Sequence, residues 1–325
     1  MNTTHHDQYT VIIPTLWNGS TTTLEQAIQS VLADSASLRT TDIHIVVFVN
    51  GVNAAEHTDL SRHLKKSYTK RSTHLTVLFS ERNKGFTGAV NEALFWTRIE
   101  RPSSWYIILN DDAYIRAGFF AALRQAAKKK GTAIISCAVQ HVSGKAESCG
   151  LIYQRTGLAF PDVSGKTENT QRLACGTCFA FSNSFVEQEI TALGFVLNPL
   201  FFAYAEDVEV SLRTRISHKQ IVVISTPLVV HHGSRTAGRA SEFQLYHGYR
   251  NLLLCILLLW SPWTVLKRLP WLLIGQVYVL VVLLSKGYVF VYPRMIWYVL
   301  KHFSEIMTQR YVYKHHYGHL YSVSH

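Results

Sequence analysis

The sequence predicts an α/β fold, a doubly wound sheet with helices on both faces, followed by an apolar helical tail. Five β-rich runs alternate with four helical patterns between Tyr9 and Val139, as is typical of such sheets. The run Ile43–Val49 is apolar without alternation, which indicates a parallel strand covered on both faces. From Leu252 onward, nine consecutive apolar residues open a region with seven Lys or Arg and one acidic residue, Glu305.

The elements follow one another in a regular order. The predicted strands of the first part are Tyr9–Ile13, Ile43–Val49, His74–Phe79, Trp105–Leu109 and Thr132–Val139. The predicted helices between them are Thr23–Leu32, Glu56–Lys66, Phe86–Arg98 and Ala117–Lys130. After about Gly144 the alternation breaks, and we expect strands at Phe179–Phe181 and Ile221–Val230. Ligands of these sheets bind at the carboxyl ends of the strands, so the loops after the first strands should face one cleft.

Length and composition limit the classes of function. A chain of 325 residues suggests about two domains. Because 48 % of the residues are hydrophobic and only 16 % charged, the chain is unusually apolar for a soluble enzyme. The net charge of +11 suits an anionic partner such as a nucleotide, a nucleic acid or an anionic lipid. Five cysteines without ordered spacing argue against a disulfide framework, and Cys175–Cys178 is a lone CxxC that indicates zinc or redox use only weakly.

Two carboxylates follow an aromatic run in the stretch Phe201–Arg213. Glu206 and Asp207 precede a helical pattern, and a helix N-terminus favours the anionic form of a carboxyl group. Tyr204 and its aromatic neighbours would exclude water. This pattern suits a base that accepts a proton from an organic hydroxyl. An ordinary helix with an acidic first turn is the alternative, and on this stretch alone it is the commoner interpretation.

Further polar motifs follow other strands. Asn110, Asp111 and Asp112 come directly after Trp105–Leu109, where carboxylates suit a divalent cation that bridges diphosphate oxygens. A turn with Asx hydrogen bonds is the alternative. His231 and His232 end the last strand of this part, and one of them could complete a metal site with an acid, although lone histidines are more often structural.

The loop between the third strand and the next helix is rich in glycine. Gly85 and Gly88 lie in the segment Ser80–Asn91, where glycine allows close backbone approach and the helix N-terminus favours an anion. The segment is neither a GxGxxG motif nor a P-loop. An ordinary loop between strand and helix is therefore the alternative interpretation.

The ordered set of motifs resembles family 2 glycosyltransferases with the GT-A fold. In chain order the motifs are PT (14–15), NKGFTGAVN (83–91), ILNDDA (108–113), CGTCFAF (175–181), FFAYAEDVEVSLR (201–213), VVHHGS (229–234) and YRN (249–251). The resemblance covers roughly residues 9 to 251 and is greatest to the branch of rhamnosyl- and galactofuranosyltransferases that build bacterial surface glycans. The order of the set, rather than any single motif, makes it specific.

The resemblance implies roles for individual positions. It implies a nucleotide-sugar pocket formed by Pro14, Thr15, Asn18, Asn83, Gly85, Asn91, Asn110, Asp111 and Asp112. It implies that Asp112 binds Mg²⁺ or Mn²⁺. The further ligand would be His231, or His232 if the register slips by one. It implies Asp207 as catalytic base, and an acceptor site formed by Cys175, Gly176, Tyr204 and Glu206. One departure leaves the nucleotide open, because Val49 stands where the family has an acid that reads the base.

The function implied by the resemblance is that of an inverting, metal-dependent glycosyltransferase. It would move a hexosyl unit, with rhamnose as one option, from a nucleoside diphosphate sugar to a lipid-linked or nascent cell-surface glycan. A nucleotidyltransferase and a catalytically inactive nucleotide-sugar-binding or scaffold protein are the alternatives. A polymer-extruding synthase would need several full membrane spans, for which the tail is too short and too interrupted by proline.

We expect a glycosyltransferase domain over 1–245, with a nucleotide-sugar half to about 140 and an acceptor half from 141. A membrane-associated helical region would follow over 246–325. Its longest apolar run, Leu269–Leu284, has sixteen residues, fewer than the about 20 that a span requires.

We therefore expect two or three helices in the membrane interface, basic residues among anionic headgroups, at the cytoplasmic face. The expected partners are the donor, a lipid-linked acceptor and the membrane surface, with no nucleic acid. A homo-oligomer formed through these helices is a further expectation. A helical pair packed on the α/β domain or on a second subunit, and a single tilted span, are the alternatives.

Overall fold

The computed structural model describes residues 8–17, 19–35, 42–68, 74–166, 168–233 and 241–320. The strands are β1 (Gln8–Leu16), β2 (Asp42–Asn50), β3 (His74–Ser80), β4 (Trp105–Leu109), β5 (Ala113–Ile115), β6 (Thr132–His141), β7 (Ala146–Ser148), β8 (Leu151–Tyr153), β9 (Ala159–Pro161), β10 (Arg172–Leu173), β11 (Cys178–Ser182) and β12 (Gln220–His231). The helices are α1 (Thr22–Ser35), α2 (Ala54–Tyr68), α3 (Gly85–Glu100), α4 (Phe119–Ala127), α5 (Asn183–Leu193), α6 (Glu206–Ile216), α7 (Glu242–Leu259), α8 (Pro262–Ser285), α9 (Val291–Lys301) and α10 (Phe303–Tyr317).

The main sheet is covered on both faces, as predicted. In β2, Ile45 and Val47 pack into one core with α1, α2 and α4, whereas Val46 and Phe48 pack into a second core with α3 and α5. Every residue of β2 after Asp42 is buried. This two-sided burial explains why the strand reads as an apolar run without alternation.

The sheet is mixed rather than wholly parallel. Its order is β3-β2-β1-β4-β11-β6-β12-β5, and the strands from β3 to β4 are parallel, as are β6 and β12. The strand β11 runs antiparallel to both of its neighbours. The cause is its entry point: the chain leaves the carboxyl end of β6, forms the short strands β7 to β10, and returns at the level of Leu109, the last residue of β4. These short strands, of two or three residues each, were not predicted.

The tail contributes a third core to the folded domain. The apolar run Leu252–Trp260 is largely buried, and α7 packs against α6 and α10. Arg213 of α6 lies fully buried against Glu189 of α5, and the Tyr317 hydroxyl of α10 also donates to Glu189. Residues 245 and 246, where the domain boundary was expected, lie inside α7, and the described residues of the tail form the four helices α7 to α10.

The helix α8 is longer than the apolar run Leu269–Leu284, which was expected to be too short to span a membrane. It extends over 24 residues because Ser261 caps its N-terminus, and Pro270 lies within it without ending it. Among the described residues it is the one helix long and apolar enough to cross a membrane by length and composition, and most of its surface is exposed.

Candidate active site

A cavity of about 580 Å³ opens at the carboxyl ends of β1, β2 and β4. Its walls come from these strand ends, the loop before α3, the loop before β11, the loop that leads into α6, the end of β12 and the start of α7. The cavity brings together the predicted residues Pro14, Thr15, Asn83, Gly85, Asn110, Asp111, Asp112, Cys175, Gly176, Tyr204, Glu206, Asp207 and His231.

Two other predicted residues, Asn91 and His232, lie outside the cavity. Asn91 is buried and holds the backbone of residues 196 and 197, with its amide donating to the Leu197 carbonyl at 2.6 Å, so it has a structural role. His232 bonds Gln26 at 2.8 Å and packs beside Tyr114, away from the cavity. Asn18 lies outside the described residues.

The loop before α3 is fixed to the end of β2. The Asn50 side chain donates to the Gly85 carbonyl and accepts from the Lys84 amide, each at 3.2 Å. Gly85 has a φ of +70°, and a Cβ there would lie 2.3 Å from the Phe202 carbonyl oxygen. The close backbone approach predicted for this glycine is therefore made to another loop of the chain.

Asp112 and His231 form a candidate metal site. The Nε2 atom of His231 lies 3.1 Å from Asp112 Oδ1, and its Nδ1 atom lies 2.8 Å from Glu147 Oε1. Burial alone would lower the pKa of His231, but the hydrogen bonds to the two carboxylates raise it to about 9. A carboxylate and an imidazole are ligands that Mn²⁺ accepts, and a carboxylate behind the imidazole fixes its orientation, so this pair fits a divalent cation.

The pair supplies two ligands, and the described residues contain no group of three or more metal-ligating side chains. The remaining ligands of a bound cation would have to come from the substrate or from water. Asp111, beside the pair, accepts a hydrogen bond from the Thr15 hydroxyl, and burial raises the pKa of Asp111 to about 6. Asn110 also lines the cavity, and its buried side-chain oxygen has no hydrogen-bond partner.

Glu206 and Asp207 begin α6 and line the same cavity. Asp207 accepts hydrogen bonds from the Gly176 amide at 2.7 Å and from the Val208 amide at 2.8 Å. Gly176 leaves room for this contact, because a Cβ there would lie 2.9 Å from Asp207 Oδ2. Cys175, the neighbour of Gly176, is buried and free, as are the other four cysteines.

The two carboxyl groups differ in their tendency to ionise. Burial raises the pKa of Asp207 to about 6, although the two backbone amides favour its anion. Burial and the adjacent Asp207 raise the pKa of Glu206 to about 8, and its Oε2 atom has no hydrogen-bond partner. These shifts favour the protonated form of Glu206 over that of Asp207, which leaves Asp207 as the carboxylate that can accept a proton.

Phe202, from the aromatic run that was expected to exclude water, lines the cavity, as does Asn50, which begins a loop that was expected to face it. Phe243, a second aromatic wall of the cavity, was not predicted. Glu147 supports His231 from β7. Phe243 and Glu147 lie in stretches without a motif, so no local signal identifies them, whereas Asn50 stands at a strand end and is identifiable by that position.

The sequence profile described as glycosyl transferase family 2 matches residues 10–189, which is more than half of the chain. The chain belongs to glycosyltransferase family 2. The match spans the sheet through β11 and stops before the carboxylate pair. No curated protein matches this family 2 glycosyltransferase in a sequence comparison.

Solved structures with the same fold support the architecture. The structure of GalNAc-T7 with UDP, GalNAc and Mn²⁺ has a TM-score of 0.55 at 15 % identity, covering 80 % of this chain and 49 % of that chain. The present chain thus spans about half of that relative. A mannosyltransferase from Pyrobaculum calidifontis in complex with GDP-Man and Mn²⁺ has the same TM-score at 13 % identity, covering 96 % and 86 %. The fold is GT-A, as the resemblance implied.

Proposed function

We propose that this glycosyltransferase transfers a sugar, with inversion, from a nucleoside diphosphate sugar to an acceptor hydroxyl, and that Asp207 is the base. One observation carries the proposal: the Asp112–His231 pair and the Glu206–Asp207 pair line one cavity. The first pair suits the diphosphate and the second suits the acceptor. An aromatic-walled carboxylate pair has no evident use in nucleotidyl transfer, which supports glycosyl transfer over that alternative.

In this proposal each residue of the site has its own role in the transfer reaction. Asp112 and His231 would hold Mg²⁺ or Mn²⁺, which offsets the negative charge that develops on the leaving diphosphate. Glu147 keeps the His231 ring oriented. Asp207 takes the proton of the acceptor hydroxyl as the hydroxyl oxygen bonds to the anomeric carbon. The bond from that carbon to the diphosphate oxygen breaks on the opposite face, so the configuration inverts and no enzyme nucleophile is needed.

The neutral Glu206 has a separate role in this proposal. As a protonated carboxyl it can donate a hydrogen bond. Glu206 lines the cavity, and its buried Oε2 atom has no hydrogen-bond partner. We assign this donor to an acceptor oxygen. A second anion beside Asp207 would disfavour the ionised base, so the proton on Glu206 helps to keep Asp207 ionised.

The donor is proposed from the motif set. We propose a sugar used by the rhamnosyl- and galactofuranosyltransferase branch, on the strength of the ordered motifs. The two structural relatives hold UDP and GDP-mannose, so they do not agree on one nucleotide. In this chain Val49 stands in place of the acid at the end of β2, and the amide of the next residue, Asn50, is engaged with the loop before α3.

The proposal is tested by a thermal-shift screen of UDP, GDP and dTDP sugars with Mn²⁺. A ligand that binds only the native state increases the free energy of unfolding by RT ln(1 + [L]/Kd), and the melting temperature rises as a result. The donor should raise it in the wild type and less in Asp112→Ala. NMR of the product formed from that donor should then show the inverted anomer. Retention of configuration, or a donor shift that is unchanged in Asp112→Ala, would contradict the proposal.

We also propose that α8 and α9 lie in the interface of an anionic membrane at the cytoplasmic face, where a lipid-linked glycan would be the acceptor. Large apolar side chains are exposed along both helices, among them Trp263, Leu273 and Trp297. Lys267 and Lys286 are exposed near the two ends of α8. Apolar faces flanked by basic residues suit the acyl boundary and anionic headgroups.

The packing of α8 supports an interfacial helix over a spanning one. Gly275, in the middle of α8, is packed so closely on the turn between β8 and β9 that a Cβ would lie 2.5 Å from the Thr156 carbonyl oxygen. The residue before Thr156 in that turn, Arg155, is exposed. A spanning α8 would carry this irregular backbone and this charge to the bilayer centre, where both are strongly disfavoured.

A further inference from the structure

The loop that leads into the carboxylate pair has an unusual backbone. Among the described residues, four non-glycine residues have positive φ, and three of them are Phe202 at 60°, Tyr204 at 67° and Ala205 at 59°. Ala205 is the N-cap of α6 and directly precedes Glu206. Positive φ is sterically unfavourable for residues that carry a Cβ atom, so contacts with the surrounding structure must hold the loop in this conformation.

Asn251 of α7 supplies much of this hold. The two N–H groups of its side-chain amide are shared among three carbonyl oxygens of the loop, those of Phe201 at 2.8 Å, Ala203 at 2.8 Å and Tyr204 at 2.6 Å from the nitrogen. Its side-chain oxygen accepts from Arg250 Nε at 2.9 Å and Nη2 at 2.6 Å. Asn251 is fully buried, so these bonds are made without competition from water.

Arg250 extends the same contact. Its Nη2 atom donates to the Phe201 carbonyl at 2.9 Å and to the Leu200 carbonyl at 3.2 Å. Its guanidinium lies 4.2 Å from the ring centroid of Tyr298 in α9. The two adjacent residues of α7 thus donate hydrogen bonds to the carbonyls of the loop, and neither residue lines the cavity.

The loop also contacts the donor side of the cavity. The Phe202 carbonyl accepts a hydrogen bond from the Thr87 amide of α3 at 3.1 Å. Gly85 packs against the same residue. One strained segment therefore joins the loop before α3 to the start of α6, where Asp207 stands.

We propose that Asn251 is a positioning residue that sets the direction of the Asp207 carboxylate through the backbone of residues 201–205. The inference rests on the proposed role of Asp207 as base. Asn251 does not touch the cavity, so it acts through the loop. Without its three hydrogen bonds the loop can relax from its positive φ values, and the first turn of α6 shifts with it.

The test is a double-mutant cycle in the full-length protein. Asn251→Ala should lower kcat by about 10²-fold, the effect of a displacement of about 1 Å at a reacting group. In an Asp207→Asn background the same change should alter the residual rate by no more than about twofold, because no base remains to be misplaced. The melting-temperature shift given by the nucleoside diphosphate should persist in every variant.

Arg310→Met is the matched control. Arg310 also holds backbone carbonyls of this part of the chain, those of Leu257 and Trp260, but at the far end of α7. Its loss should lower the melting temperature and leave kcat within about twofold. If Asn251→Ala fails to fold, Asn251→Ser keeps one donor and answers the same question.

The outcomes separate the two proposals. An equal loss from Asn251→Ala in both backgrounds would show a merely structural role and overturn the inference, as would an unchanged kcat. Near-normal turnover of Asp207→Asn alone would instead contradict the proposed base. A loss that disappears in the Asp207→Asn background supports the positioning role.

Discussion

Replacement of Glu206 by glutamine should change how the stability of the protein depends on pH. Glu206 is buried, and burial together with Asp207 raises its pKa from 4.5 to about 8. Between these two values the folded protein holds a proton that the unfolded chain has released. Unfolding therefore releases a proton, and a rise in pH favours it. The stabilisation is complete below pH 4.5 and is lost as pH rises through about 8.

The magnitude follows from this window. Each pH unit inside it changes the free energy of unfolding by about 1.4 kcal/mol. From pH 5 to pH 7 the wild type should thus lose roughly 2–3 kcal/mol through Glu206. Asp207 has a raised pKa as well, about 6, and acts in the same direction, but it is present in both proteins. The difference between wild type and Glu206→Gln therefore reports Glu206 together with its coupling to Asp207.

Urea unfolding at pH 5, 6 and 7 measures this difference, with tryptophan fluorescence as the signal and the same detergent in every sample. Glu206→Gln should gain stability relative to the wild type as the pH rises. Glu168→Gln replaces an exposed carboxylate and is the control, and its curve should run parallel to that of the wild type. Parallel curves for Glu206→Gln as well would refute the reasoning, because Glu206 would then ionise as an exposed glutamate does.

The other predictions concern the metal, the base and the membrane. EDTA should abolish transfer and Mn²⁺ or Mg²⁺ should restore it, while Asp112→Ala should stay folded and lose metal-dependent donor binding; full activity of that variant in chelator would contradict the metal site. Gly176→Ala places a Cβ 2.9 Å from Asp207 Oδ2, so transfer should fall by about 10²-fold with donor binding kept, and an unchanged rate would argue against the geometry at Asp207. Cysteines engineered near Lys286 should resist a membrane-impermeant reagent applied to intact cells; labelling from outside would indicate a span.

The sequence was most informative where a strand is buried on both faces or ends at the cavity. Ile43–Val49 could be assigned because continuous burial demands apolar residues at every position. Asp112, Glu206 and Asp207 could be placed at the cavity because strand and helix ends are visible as patterns. The direction of β11 could not be predicted, since it depends on where a long excursion returns to the sheet. The strands β7 to β10 are too short to carry a period.

Side-chain roles were harder to predict than positions. Asn91 ends the motif NKGFTGAVN, for which the resemblance implied nucleotide contacts, yet its side chain bonds the backbone of residues 196 and 197. His231 and His232 are adjacent, and only the pleat of β12 decides which one faces Asp112. Pro270 indicates a helix end in sequence, but tertiary contacts and the Ser261 cap carry α8 through it.

The most direct test of the account is the transfer rate of Asp207→Asn, measured with saturating donor and metal. Asparagine keeps the size of the side chain and accepts the Gly176 hydrogen bond, but it cannot take a proton from the acceptor. General base catalysis contributes about 10²–10⁴-fold, so the rate should fall by a factor in this range while donor binding, followed by thermal shift, is kept. A rate close to that of the wild type would contradict the assignment of Asp207 as the base.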